Sequence, residues 1–404
     1  MTDTLPTAAA PSGTPPDAFE QVLAEIHEGE LAREEGRTLP WAPVERLRAL
    51  GFGALRVPRA YGGGEAAVPE LIALVTRLAE ADANVAHLLR GHFGHVEQQL
   101  VAPASARRDR WLEDAVAGGL VGNAASERGD APSSAPSTVL RREGERLLLS
   151  GTKYYSTGTI FADWITVNAQ LDGDRVTATV PAQAPGVRRD DDWDGFGQRL
   201  TGSGTTVFDD VDIDPDHVAD YRDRVLTHST AFFQLYLLAV LAGIGRAVVR
   251  DTVGFVRPRR RSFVTGRGAI PRDDPLVQEI VGRVSAASFT ADELVASAAR
   301  AVQAAVDTAG PRGLAREAVD AAELAVYRTQ LVVVDTVLGA TNELFEVGGA
   351  SATSSGRGLD RHWRNARTLA SHNPAVFKAR LIGDHLLNGV SPSAEWSAWS
   401  TPTP

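Results

Sequence analysis

Cysteine is absent from this 404-residue chain. Its absence removes disulfides, iron–sulfur clusters and thiolate metal sites together. Basic charge is also in deficit: Asp and Glu outnumber Lys and Arg, the formal net charge is −10, and arginine is far commoner than lysine. A nucleic-acid binder would show a basic face or stripe, so that class is set aside. No uninterrupted apolar run approaches about 20 residues, which predicts no membrane-spanning segment. The opening MTDTLPTAAAPSGTPPDA has neither the basic start nor the apolar centre of a secretion signal. Residues 1–16 are therefore expected to be a disordered leader and 391–404, with Trp396 and Trp399, a tail; a cytoplasmic location is the default. What the chain does have is 43% hydrophobic content, enough at this length for two or three domains.

Residues 17–118 read as a helical domain. A periodic run spans Phe19 to Glu34, and a helix over Pro43 to Leu50 is closed by Gly51. Phe52 to Pro58 looks extended. Leu71, Leu74, Val75 and Leu78 then mark one helix face, and Asp82 caps a further helix running to about Leu100. That helix holds His87, His92 and His95. His92 and His95 share a face, and Gly91 and Gly94 beside them imply a close approach by a partner helix or a ligand, since glycine costs about 1 kcal/mol in a helix interior. Two histidines at this spacing are a weak metal signal without a third ligand.

Over 119–222 the period shortens to β-type runs at Leu147–Ser150, Asp163–Gln170, Val176–Val180 and Thr205–Phe208, split by Gly, Asp and Pro. Two polar stretches, Gly122–Gly129 and Gly151–Gly158, suit either ordinary connections or the edge of a planar polar ligand. Residues 223–390 return to long helices over Ser229–Arg257, Asp274–Thr308, Gly313–Val347 and Ala375–Leu387, which predicts a four-helix bundle. Gly243-Ile244-Gly245 lies inside the first of them, follows no strand and lacks a third glycine, so it reads as helix packing rather than a dinucleotide loop. Arg257 to Phe263 ends that helix, either as a solvated basic cap or as an anion clamp.

The stretch RHWRNARTLASHNP, Arg361 to Pro374, is the most suggestive. Pro374 pushes Asn373 out of helical geometry, which leaves His372 at a chain reversal. Arg361, Arg364 and Arg367 fall on one ridge leading to it. The pattern suits an anionic ligand and a proton transfer, or else a solvated basic helix.

Helices, a β middle and long helices, in that order, resemble the acyl-CoA dehydrogenase fold, a flavoprotein architecture. This implies an α+β multidomain chain with a helical N-terminal domain, a central β-barrel-like domain and a C-terminal four-helix bundle. Leu50-Gly51-Phe52 through Val57-Pro58-Arg59-Ala60-Tyr61-Gly62-Gly63, Ser150 to Gly158, and Arg260-Arg261-Ser262-Phe263 carry the resemblance. Dehydrogenases of that fold need a carboxylate to take a carbon-bound proton. It is missing beyond Arg364-Asn365-Ala366-Arg367, where Leu369 to Pro374 stand, and missing at Leu235 to Leu238. Glu343 and Glu346 are the nearest spare acids for a displaced base.

The His-Asn-Pro turn at His372, His92, Gly122-Asn123-Ala124 ahead of Ser126, Ser156-Thr157, and Trp193 to Arg199 are instead similar to the monooxygenase branch of that family, the group of dibenzothiophene monooxygenase. That resemblance implies reduced FMN (or FAD) supplied by a separate NAD(P)H flavin reductase, reaction with O2 to a C4a-hydroperoxide, and transfer of one oxygen to sulfur or nitrogen. It implies His92, His372 and Ser156 as catalytic. Asn123, Ser126, Ser156, Thr157, Trp193 and Arg367 are then expected to hold the flavin, with Arg260 and Phe263 arriving from a neighbouring subunit of a homotetramer. The alternatives are an acyl-CoA dehydrogenase or oxidase and a non-catalytic flavoprotein.

Overall fold

The computed structural model describes residues 16–129, 136–221, 225–310 and 313–394. Residues 1–15 of the expected leader and the tail tryptophans Trp396 and Trp399 lie outside the described residues. The helical opening comprises α1 (Pro16–Glu28), α2 (Glu30–Gly36), α3 (Trp41–Ala49), α4 (Val68–Ala81), α5 (Ala83–Leu88), α6 (Arg90–Val101) and α7 (Ala106–Val116). Gly51 follows α3 at φ +66°, the left-handed turn that glycine adopts without a Cβ penalty.

Two expectations need correction here. Phe52 to Pro58 is not extended: it coils through a 3-10 turn over Phe52–Ala54, because Phe52, Leu55 and Val57 are all buried and strand alternation cannot send all three inward. The helix begun at Asp82 is two helices. Asp82 accepts from the amides of Asn84 and Val85, and the chain breaks at Leu89, where Gly158 of the sheet region packs on the Leu88 carbonyl.

The sheet contains β1 (Val121–Ala124), β2 (Val139–Glu143), β3 (Arg146–Lys153), β4 (Trp164–Leu171), β5 (Asp174–Pro181), β6 (Val187–Arg189), β7 (Thr206–Ile213) and β8 (Val218–Asp220). Its path is β6-β7-β3-β2-β4-β5-β8, with β1 alongside β4. β1 and β2 run parallel to β4 and the remaining pairs are antiparallel. It is a mixed sheet, and among the described residues no pairing joins β6 to β8 to close a barrel. Alternating residues such as Ile165, Val167 and Ala169 build its own apolar core.

The rest of the chain forms α8 (Ser229–Val256), α9 (Pro275–Val306), α10 (Arg316–Glu343), α11 (Asp360–His372) and α12 (Ala375–Asn388). α8 is apolar on nearly every side and contains a window of mean hydropathy 1.8, although Gln234, Arg246, Arg250 and Asp251 interrupt it. By length and composition it matches a membrane span, yet 83% of that window is buried in protein by α4, α5, α6, α9, α10 and α11. A helix wrapped on all sides has no polar face to show. Gly243 faces Thr76 and Ala79 of α4 with no room for a Cβ, the close packing expected of it. α12 packs mainly on α10 and leaves Val376, Phe377, Leu386 and Leu387 exposed, so it flanks the three long helices, and the expected four-helix bundle is not established.

One acid in this packing sets a pH dependence. Glu323 of α10 is 1% exposed and burial pushes its pKa up to about 7, against the pull of Tyr327 and Lys378. Below the ordinary glutamate pKa it is neutral in both folded and unfolded chains. As pH rises towards 7 the unfolded chain ionises first, so stability falls through that window. Glu323→Gln should leave the melting midpoint unchanged near pH 4 and raise stability by about 3 kcal/mol near pH 8, measured by calorimetry at both pH values.

Candidate active site

His372 is the last residue of α11, and Asn373 turns the chain with φ −128° and ψ 104° ahead of Pro374. Both neighbouring long helices pin that turn. Asn373 Nδ2 donates to Gln234 Oε1 of α8 (2.8 Å) and Gln330 Nε2 of α10 donates to the Asn373 carbonyl (2.6 Å). His372 is exposed as a whole residue, with its ring packed beside Arg90 and His87. Its Nε2 lies 3.4 Å from Arg90 Nη1 and, because a guanidinium only donates, Nε2 accepts. Its pKa is lowered by the surrounding protein first, then by the charge of Arg90, which leaves a neutral imidazole.

The histidine that meets His372 is His87, not His92. The His87 and His372 ring centroids are 6.4 Å apart, edge to face. His87 Nδ1 is 3.0 Å from Gln198 Oε1, and its Nε2 is buried without a partner, as is Gln198 Nε2. Burial, then Arg90, pushes the His87 pKa down to about 3. Gln198 is held in turn by α11, since its backbone N–H donates to Asn365 Oδ1 (2.6 Å).

His92 is tied to backbone on both ring nitrogens. Nε2 donates to the Gly53 carbonyl (2.8 Å) and Nδ1 accepts from the Val121 N–H (3.4 Å). His95 contacts Thr166 Oγ1 (3.3 Å) and stacks edge-on against Trp111. The close approach foreseen at Gly91 and Gly94 comes from protein: Asn123 of β1 fills the space at Gly91 and the Phe233 ring fills it at Gly94.

The arginine ridge is neither an anion face nor a solvated surface. Arg361 pairs with Glu30 (3.0 Å) and Asp251 (2.6 Å), and His362 Nε2 is 2.9 Å from Asp251. Arg364 pairs with Glu34 (2.6 Å) and Asp360 (2.8 Å). Despite burial, His362 and Arg361 hold the Asp251 carboxyl well below its ordinary range. These pairs bolt α11 onto α2 and α8. Arg367 alone pairs with no carboxylate among the described residues, and bonds to Ser371 Oγ (3.0 Å) of its own helix.

On the sheet side the expected flavin residues converge. The Asn123 N–H donates to the Thr157 carbonyl (3.3 Å), and Ser126 bridges Tyr154. The Trp193 ring lies 5.8 Å from Tyr155 and 6.1 Å from Tyr154, its Nε1 donating to the Gly197 carbonyl (3.0 Å). Thr157 Oγ1 is taken up by Ser203 Oγ (2.8 Å), whereas Ser156 Oγ is fully buried with no partner. Arg260 and Phe263 are exposed beyond the far end of α8, about 30 Å along that helix from Gln234. Glu343 is ion-paired with Arg283 (3.5 Å), about 20 Å along α10 from Gln330, and Glu346 is exposed. Among the described residues no carboxylate forms a hydrogen bond or ion pair with His87, Arg90 or His372.

Comparison with known proteins places this geometry. Residues 17–119 match the family model described as acyl-CoA dehydrogenase, N-terminal domain, and 235–376 match acyl-CoA dehydrogenase, C-terminal domain. Dibenzothiophene monooxygenase of Rhodococcus qingshengii is 28% identical over 369 residues, covering 87% of this chain and 88% of that one. The probable FMNH2-dependent monooxygenase SfnC of Pseudomonas putida is 27% identical, covering 95% and 98%. The crystal structure of FMN-bound TdsC from Paenibacillus sp. A11-2 superposes with a TM-score of 0.86 at 26% identity, covering 95% of this chain and 99% of that one.

Proposed function

The chain carries the N- and C-terminal domains of the acyl-CoA dehydrogenase family and belongs to it, and from that premise we propose that it is a flavin-dependent monooxygenase that uses reduced FMN and O2 to oxygenate a sulfur or nitrogen centre of a small organic molecule. One observation carries this reading: the wall formed by α5, α6 and the His372 turn presents neutral imidazoles, with no carboxylate bonded to them among the described residues. Removing a carbon-bound proton of low acidity needs a positioned base. A pair of uncharged imidazoles instead suits hydrogen bonding to activated oxygen. The relative named dibenzothiophene monooxygenase, after a sulfur heterocycle, supports sulfur as the centre.

The residues present fit a flavin. Ser156 Oγ is a buried, unpartnered polar atom beside Thr157 and Asn123, and a buried polar group needs a partner. The polar edge of an isoalloxazine would supply one. Ser126 and Trp193 would flank it, and Arg367 would lie at the His372 end. Arg260, which forms no ion pair among the described residues, would hold the phosphate with Phe263. The distance of both from Gln234 supports their coming from a neighbouring subunit, and the exposed apolar residues of α12 support a homotetramer. Bound and reduced, the flavin would carry oxygen as its C4a-hydroperoxide.

His87 and His372 then have defined work. His372 accepts from Arg90 at Nε2, so its proton sits on Nδ1. With Gln198 Oε1 accepting from His87 Nδ1, His87 Nε2 is a free acceptor. Together they can hold an O–H without ionising, and the apolar core behind the buried His87 limits access of water from that side. A separate NAD(P)H flavin reductase would supply the reduced cofactor in the cytoplasm.

Ser156→Ala should weaken reduced-FMN binding about tenfold and leave the melting midpoint unchanged, because no protein hydrogen bond is lost. Anaerobic mixing of the flavin-loaded protein with an acyl-CoA should leave the flavin oxidised. Bleaching of the flavin would move the assignment to a dehydrogenase.

A further inference from the structure

Arg90 is a cation of the site that no carboxylate neutralises among the described residues. It stands in the first turn of α6 and is 8% exposed. The other deeply buried arginines have carboxylates: Arg56 with Glu97 (2.5 Å), and Arg361 with Glu30 and Asp251. Arg90 has none among the described residues. Its Nε donates to the Phe233 carbonyl (3.0 Å), its guanidinium lies 4.8 Å from the Phe233 ring centroid, and Nη1 meets His372 Nε2 at 3.4 Å. All three partners are neutral, and two of the five N–H groups a guanidinium carries are accounted for. Burial lowers its pKa only to about 10, so it stays charged at neutral pH.

A buried charge is expensive unless something of opposite sign compensates it. Leucine or methionine would fill the same volume without that cost. No described residue supplies that charge, which leaves a bound molecule as its source. We propose that the substrate of this site carries an organic oxyanion, a sulfinate, sulfonate or carboxylate, which the Arg90 guanidinium receives beside His372. This rests on the oxygenase reading and narrows its substrate class. Activated oxygen is the poorer candidate for the charge. A cation beside a peroxide favours its deprotonated form, whereas attack by a soft sulfur lone pair needs the protonated one.

The test compares benzenesulfonate with methyl phenyl sulfone, a neutral probe on the same skeleton, on the protein carrying reduced FMN without oxygen. Benzenesulfonate should bind about tenfold or more tightly than the sulfone and should raise the melting midpoint where the sulfone does not. The preference should vanish in Arg90→Gln and persist, weakened, in Arg90→Lys. Equal affinities in the native protein overturn the proposal without needing any variant, as does a preference that survives Arg90→Gln.

Admitting oxygen to the same samples separates this inference from the reading beneath it. A long-lived oxygen adduct with no sulfonate preference keeps the oxygenase and removes the anion. A sulfonate preference that depends on Arg90, with no adduct, keeps the anion site and removes the oxygenase. If Arg90→Gln shortens the adduct's lifetime and leaves sulfonate affinity unchanged, Arg90 serves oxygen and the proposal fails.

Discussion

Alanine at His87 is expected to cut oxygenated product by about 100-fold or more while reduced flavin is still consumed, the missing oxygen leaving as hydrogen peroxide. The expectation follows from position. His87 is the second imidazole at the His372 turn, 6.4 Å from it by ring centroids, and its Nε2 has no protein partner. Its removal deletes a possible hydrogen bond to oxygen and opens a space that water can enter. The protein group stranded is one acceptor, Gln198 Oε1, so the loss of stability should be smaller than that of a histidine bonded through both ring nitrogens. His372→Ala should uncouple the reaction in the same way. His92→Ala should behave in the opposite sense: it strands the Gly53 carbonyl and the Val121 N–H and leaves a cavity, a loss of about 2–4 kcal/mol. The coupling of the protein that remains folded should be near native. Peroxide and product measured together, with calorimetry of each variant, separate the two patterns.

Arg361→Ala should produce the largest loss of stability, about 3–5 kcal/mol. Its guanidinium is the shared counter-ion of Glu30 and Asp251, and without it two buried carboxylates keep their charge with only Arg250, His362 and His27 nearby. Arg361 itself is held more firmly protonated than an ordinary arginine by Glu30 and Asp251, against the cost of burial. The loss should be greatest at neutral pH and shrink in acid, because Glu30, held down to about 2 by His27 and Arg361 despite its burial, protonates only there. α11 carries both Arg361 and His372, so product yield should fall along with stability. Thermal unfolding at pH 7 and pH 4 measures the effect.

The contrast between these two helices shows what the sequence could and could not disclose. The turn at His372 was legible because Asn373-Pro374 has few backbone options. The order of helical, β and helical regions followed from periodicity alone. The choice among His87, His92 and His95 was not legible. It depends on a break at Leu89, where the Gly158 turn packs on the Leu88 carbonyl, whereas the resemblance names His92. The arginine ridge was misread for a similar reason: besides the local Asp360, Arg364 pairs with Glu34, 330 residues away. The barrel-like sheet was an expectation drawn from resemblance and the four-helix bundle one drawn from the long helical segments, and the described strand pairings and the flanking position of α12 do not supply them. Arg90 did leave a trace in the sequence, as one cation in the run His87-Leu88-Leu89-Arg90-Gly91-His92. Only the absence of a nearby acid gives it meaning.

The most direct measurement is rapid mixing of oxygen with the protein holding reduced FMN, without substrate, followed in the near ultraviolet. A flavin–oxygen adduct should form and persist in the native protein and in the folded fraction of His92→Ala, and decay markedly faster in His87→Ala and His372→Ala. Immediate return of oxidised flavin with stoichiometric peroxide in the native protein would contradict the account, as would an adduct indifferent to both His87 and His372.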